Sequence, residues 1–146
     1  MDRLTDEKTN ESRKMSTLTN RTILPGKLAW AGASLIAAVG LIHLLEAPEE
    51  LEEVAFVGLL FLANFGAAVV AAIGIYRNYR WGWGLGALLA GGAFSGYVIS
   101  RTIGLPGLPV EEWLEPVGVL SLLIEGLFMG LWLAIFARPS KEARMD

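Results

Sequence analysis

The chain has 146 residues, 53% of them hydrophobic, with 17 glycines and a formal net charge of −3. The absence of cysteine excludes disulfides, thiolate metal sites, iron–sulfur clusters, c-type haem attachment and dithiol redox chemistry. The small net charge supplies no basic field for nucleic acid.

The N-terminal stretch "MDRLTDEKTNESRKMSTLTNRT" mixes both charge signs with Ser, Thr and Asn. No apolar run follows its first charges closely enough for a secretory signal, so residues 1–24 are expected to form a disordered, solvent-facing tail. A transmembrane domain is expected over 25–138 and a short polar tail over 139–146.

Four nearly pure apolar segments follow the tail, at about 28–45, 54–76, 81–103 and 116–137. Each is close to the ~20 residues that cross ~30 Å of hydrocarbon as a helix. They lack the alternation of membrane strands, and every amide in lipid must be paired within its own segment. The fold expected is an all-α integral membrane four-helix bundle. Pro25 and Gly26 precede the first span, and Pro48 fits the first turn of a short helix leading into the second. Pro116, with Glu115 before it, suits the first helical position of the fourth.

Basic residues set the orientation. Arg21 and Lys27 precede the first span, Arg77 and Arg80 flank the link between the second and third, and Arg138, Lys141 and Arg144 follow the fourth. The other two links carry no Lys, and Arg101 is the only Arg beside them. The positive-inside rule then puts both termini in the cytoplasm of a multi-pass cell-membrane protein, with the acidic links outside. Trp30, Trp81, Trp83 and Trp113 are expected at the interfaces, together with Tyr76 and Tyr79.

Small residues recur at four-residue spacing: Ala29, Ala33 and Ala37; Ala63, Ala67 and Ala71; Gly82, Gly86 and Ala90; Gly92 and Gly96; Gly126 and Gly130. Such stripes let helices approach closely, and packing within the chain is the ordinary outcome. A homodimer, or a partner subunit in the membrane, stays open as a second use.

Several polar residues fall at membrane depth. Glu125 lies nine residues beyond Pro116, or ~14 Å along the helix and near the midplane. A carboxyl there costs several kcal/mol unless paired or protonated, which marks a candidate proton or cation site. Ser121 lies one turn away on the same face, with Gly118 above it. Asn64 reaches a similar depth in the second span, where interhelical hydrogen bonding is the ordinary role. His43, the only histidine, shares a helix face with Glu46, and His-x-x-Glu is half of a carboxylate metal site. A structural or pH-responsive histidine is the alternative, and b-type haem would need a second histidine from a homodimer.

Arg101 closes the third span and is expected to pair with Glu115, Glu46 or Glu125, or else to clamp an anion. Ser95 and Ser100 are explained by bonds back to their own helix. Glu111 and Glu112 read as solvated surface.

The stretches "IHLLEAPEELEEVAFVGLLFL" and "SRTIGLPG…EPVGVLSLLIE" resemble small prokaryotic four-span membrane proteins with no assigned activity. The shared elements are a His-Leu before Ala-Pro-Glu and a Ser-Arg-Thr-x-Gly-Leu-Pro. Some members carry a second histidine after the Pro-Glu pair where this chain has Glu50, so no metal role carries over. The resemblance implies grouping and no mechanism.

Three functions follow as expectations. One is proton, cation or small-solute handling at a site formed by His43, Glu46, Asn64, Arg101, Ser121 and Glu125. The others are an accessory subunit without chemistry of its own and a metal- or haem-binding module on His43 and Glu46. No catalytic set and no resident cofactor are assigned.

Overall fold

The computed structural model describes Glu11, Leu24 and residues 26–107 and 109–137. The tails expected at 1–24 and 139–146 otherwise lie outside the described residues, as do Arg21, Arg138, Lys141 and Arg144. Four helices follow in order: α1 (Gly26–Glu53), α2 (Ala55–Tyr76), α3 (Arg80–Thr102) and α4 (Pro116–Phe136). All four are long and apolar enough to cross a membrane, so the chain is a multi-pass helical bundle suited to a lipid bilayer.

Each helix packs on its sequence neighbour, and α4 closes the ring against α1. Across the ring α1 touches α3 lightly, whereas α2 and α4 do not meet. The bundle therefore runs up and down with two distinct ends. One carries Lys27, Arg77 and Arg80 and is called here the basic end. The other carries Glu49 to Glu53 and the 103–115 link and is called the acidic end.

Short, well-capped links set these contacts. Val54 alone, in an extended conformation, separates α1 from α2. At the basic end α2 stops on Asn78, whose φ of 63° is left-handed. Asn78 N–H donates to the Ile75 carbonyl at 2.8 Å and Tyr79 N–H to that of Gly74 at 2.9 Å, a Schellman termination with Asn in the glycine role. At the acidic end Gly104, with φ of 80°, ends α3.

Two local expectations are corrected. Pro48 starts no separate helix, because α1 runs through it to Glu53. The C-terminal turns survive the missing N–H because Leu51 packs onto α2 at Gly58, where a side chain would collide with it. Trp83 sits at no interface but is 0% exposed in the core. Gly32 and Gly86 make the room: a side chain at Gly32 would overlap the indole, and one at Gly86 would meet Phe128, which stacks on Trp83 with ring centroids 6.0 Å apart. Trp30, Trp81 and Trp113 remain exposed, as an interfacial belt requires.

The core occupies the half of the bundle nearer the basic end. Ile36 and Val39 of α1, Ala68, Ala71 and Ile75 of α2, Trp83 and Ala90 of α3, and Phe128 of α4 form one buried cluster. One close backbone approach is glycine on glycine, since a Cβ on Gly82 would lie 2.6 Å from backbone atoms of Gly74 and Ile75. Of the small-residue stripes, Gly82, Gly86 and Ala90 are thus spent on internal packing. Gly92, Gly96, Gly126 and Gly130 are not, for a Cβ there would meet nothing within 4 Å. The α2–α3 pair is in close contact at the basic end, and nearer the acidic end residues of both helices line a cavity.

Candidate functional site

A cavity of about 530 Å³ fills the half of the bundle that the core leaves empty. All six residues singled out in the sequence, His43, Glu46, Asn64, Arg101, Ser121 and Glu125, line it. Helix periodicity explains the convergence. His43, Glu46 and Glu50 project from one face of α1, Tyr97 and Arg101 from one face of α3, and Ser121 and Glu125 from one face of α4.

Glu125 forms the floor. It is 2% exposed, yet its one hydrogen bond within the protein comes from Ser121 Oγ at 2.8 Å, on its own helix. Its Oε2 is buried without a partner. The Asn64 Oδ1 on α2 is likewise buried and unpartnered among the described residues. Both were candidates for hydrogen bonding that ties helices together, and neither makes such a bond. Phe128, one turn past Glu125, stacks on Trp83 and seals the cavity from the basic end.

His43 stands on the α1 wall, edge-on to Phe61 with ring centroids 4.8 Å apart. Its Nδ1 lies 2.9 Å from the Val39 carbonyl. A carbonyl only accepts, so Nδ1 carries the proton, and in the neutral ring Nε2 is the bare nitrogen. No group of three or more His, Asp or Glu gathers as a metal set among the described residues. The His43–Glu46 pair thus gains no third ligand.

Comparison with family models, with curated proteins and with solved structures gives no match. The chemistry of the site is therefore carried by its own geometry.

Arg101 builds the lid. Its side chain is buried at the end of α3 and spends four of its five N–H donors on the link and on its own helix. Nη2 donates to Glu115 Oε2 at 2.9 Å, Nη1 to Ser100 Oγ at 2.7 Å, and Nε to the Glu112 carbonyl at 3.2 Å. Nη1 also pairs with the Glu111 carboxylate at 2.5 Å. The guanidinium lies over the Tyr97 ring, 3.8 Å from its centroid, while the Tyr97 hydroxyl donates to the Trp113 carbonyl at 2.7 Å. Glu111 is thus no solvated surface residue; it is a partner of Arg101 and lines the cavity. Of the partners considered for Arg101, Glu115 is the one engaged, and neither Glu46 nor Glu125 is. A planar guanidinium held on so many sides is a structural clasp rather than a free anion clamp.

Gly118 is part of the same clasp. A Cβ there would lie 2.6 Å from Tyr97 Cε2, 2.9 Å from Glu115 Oε2 and 3.0 Å from Arg101 Nη2. Ser95 and Ser100 donate to carbonyls of their own helix, Gly91 at 2.7 Å and Tyr97 at 3.0 Å, as expected.

The charge balance is one-sided. Five carboxylates, Glu46, Glu50, Glu111, Glu115 and Glu125, line the cavity with Arg101 as the only fixed cation. Arg101 is taken up by two of them. Glu50, whose Oε2 is buried and unpartnered, and Tyr97 are site residues that were not assigned from the sequence. The signal for both was the spacing: Glu50 follows His43 by seven residues, and Tyr97 precedes Arg101 by four.

Proposed function

We propose that this protein binds a small monovalent cation in the cavity in exchange for a proton on Glu125, as the binding step of a membrane transport cycle. The observation that carries the reading is the Glu125 carboxyl, 2% exposed at the cavity floor with one oxygen unpartnered. In a low-dielectric setting such a group is held either as the neutral acid or against a cation, and the two states exclude each other. Glu46 and Glu50 higher on the wall favour entry of cations over anions. Asn64 offers a neutral oxygen at the depth of Glu125, and the bare Nε2 of His43 can relay a proton.

In this reading both termini are cytoplasmic in the cell membrane, because Lys27, Arg77 and Arg80 gather at one end of the bundle. The cavity then faces outward, and the Trp83–Phe128 stack closes the cytoplasmic side. The reading extends to a homodimer, in which the uncovered Gly126 and Gly130 of α4 would meet a second copy.

The test is proton release on binding. Protein in lipid nanodiscs, in weak buffer with a pH indicator, is titrated with Na⁺, K⁺ and tetramethylammonium. About one proton should leave per bound cation in the wild type and none in Glu125→Gln. The reading is overturned if no cation releases protons, or if Glu125→Gln releases as many as the wild type.

A further inference from the structure

The cavity is not enclosed on all sides by helices. Two of its lining residues, Leu60 of α2 and Leu88 of α3, are 60% and 71% exposed. They flank a gap between α2 and α3 on the acidic side of the Gly74–Gly82 contact. On the α3 side the gap is bordered by Gly92 and Gly96, with nothing within 4 Å of where their Cβ atoms would be. On the α2 side it is bordered by Phe56, Leu60 and Ala63, one stripe of the helix. This opening lies on the flank of the bundle rather than at its end, so in a bilayer it faces lipid. It contains no ionisable group, whereas the chamber behind it holds Glu125, Glu46 and Glu50.

An apolar slot leading sideways to buried carboxylates is complementary to one kind of molecule. We infer that the α2–α3 gap is a lateral portal for a single-chain cationic amphiphile, an alkylammonium, which enters from the bilayer with its chain in the slot and its head at the carboxylates. The inference rests on the cation-binding reading above and specifies its ligand. A lipid chain gains no hydrophobic energy by moving from the bilayer into the slot, because lipid is as apolar as the slot wall. Selection must come from the head group, and the head group must be positive, because Arg101 is occupied and every other fixed charge among the described residues that line the cavity is a carboxylate. A volume of about 530 Å³ lies within the ~300–1,000 Å³ typical of small-molecule sites.

The experiment uses the whole chain in nanodiscs, with radiolabelled decyltrimethylammonium as probe and occupancy referred to the probe's concentration in the bilayer. Decanol and decyl sulfate compete as neutral and anionic heads on the same chain, and tetramethylammonium serves as the head without a chain. Decyltrimethylammonium should bind at least about tenfold more tightly than either competitor, an energy of about 1.4 kcal/mol, and Glu125→Gln should erase that preference. Gly92→Leu fills the portal from a position where an added Cβ meets no neighbour within 4 Å. It should lower the ratio of decyltrimethylammonium to tetramethylammonium affinity at least tenfold. Gly84→Leu, equally unobstructed but outside the cavity lining, should leave that ratio unchanged.

Equal binding of all three heads would overturn the inference and make the slot a seat for any lipid chain. An unchanged ratio in Gly92→Leu would overturn it too, because the chain would then not use the gap. If tetramethylammonium releases protons while decyltrimethylammonium does not bind, only the portal falls. If neither cation depends on Glu125, the cation-binding reading falls with it.

Discussion

Replacing Glu125 by leucine should make the bundle more stable while abolishing proton release on cation binding. The wild-type carboxyl leaves one oxygen buried without a partner. An orphaned polar atom of that kind costs about 1–3 kcal/mol. Its other oxygen accepts one hydrogen bond, from Ser121 at 2.8 Å, worth about 0.5–1.5 kcal/mol. Leucine removes both, and the Ser121 hydroxyl has an alternative acceptor in the Val117 carbonyl one turn back, the arrangement Ser95 already makes with Gly91. The balance favours the variant by about 1 kcal/mol, in line with the stabilisation of about 1–4 kcal/mol seen when buried ionic groups are replaced by well-packed apolar ones. Reversible unfolding in mixed micelles with increasing dodecyl sulfate, followed by helix circular dichroism, measures it. A loss of about 1 kcal/mol or more would refute the reasoning and show that the carboxyl holds helices together. Opposed signs in stability and binding are what separate a functional residue from packing glue.

Three further outcomes follow from the lid and the orientation. Arg101→Met should loosen residues 103–115, since it removes every hydrogen bond and ion pair of the guanidinium at once and leaves the Tyr97 hydroxyl bond to the Trp113 carbonyl; with about 3 kcal/mol lost, amide exchange there should rise about a hundredfold, measured by mass spectrometry. Gly118→Ala should cost about 1–3 kcal/mol through its clash with the pinned Tyr97 ring and Arg101 head, while Gly92→Ala, with open space before it, should be neutral or stabilising by about 0.5–1 kcal/mol; equal effects in a parallel unfolding titration would contradict the geometry. Because the chain has no native cysteine, single-cysteine labelling has no background. An impermeant maleimide added to intact cells should label Val110→Cys and spare Gly26→Cys, and the reverse pattern would invert the proposed orientation.

The four spans and the depth of Glu125 were legible because lipid imposes a length and a polarity on any crossing segment. The convergence of His43, Glu46, Arg101, Ser121 and Glu125 was legible only as spacing within each helix; which faces meet depends on rotations that local pattern does not encode. Glu111 shows the limit most clearly. In sequence it is one carboxylate in a polar link, and only the return of the 103–115 segment over α3 brings it to Arg101. Trp83 fails as an interfacial residue for a related reason. Its direction was decided by Gly32 on another helix, where any side chain would have pushed the indole out. The continuity of α1 through Pro48 likewise depended on a remote contact, Leu51 against Gly58.

Other glycines account for a bundle that is packed at one end and hollow at the other. Gly74 and Gly82 bring two backbones into contact, and a three-residue link at that point holds them there. Rigid helices fixed at one end by so close a contact diverge with distance from it, unless side chains draw them together again. On α3 two of the positions beside the gap are Gly92 and Gly96, which have no side chain to offer. Larger residues at both would narrow the gap and fill part of the cavity. A chain that needed only to hold four helices together would gain from that change through added dispersion contacts. In the proposed reading the two glycines matter for what they leave open, because the cavity they line has at its floor a carboxyl with an oxygen left unpaired.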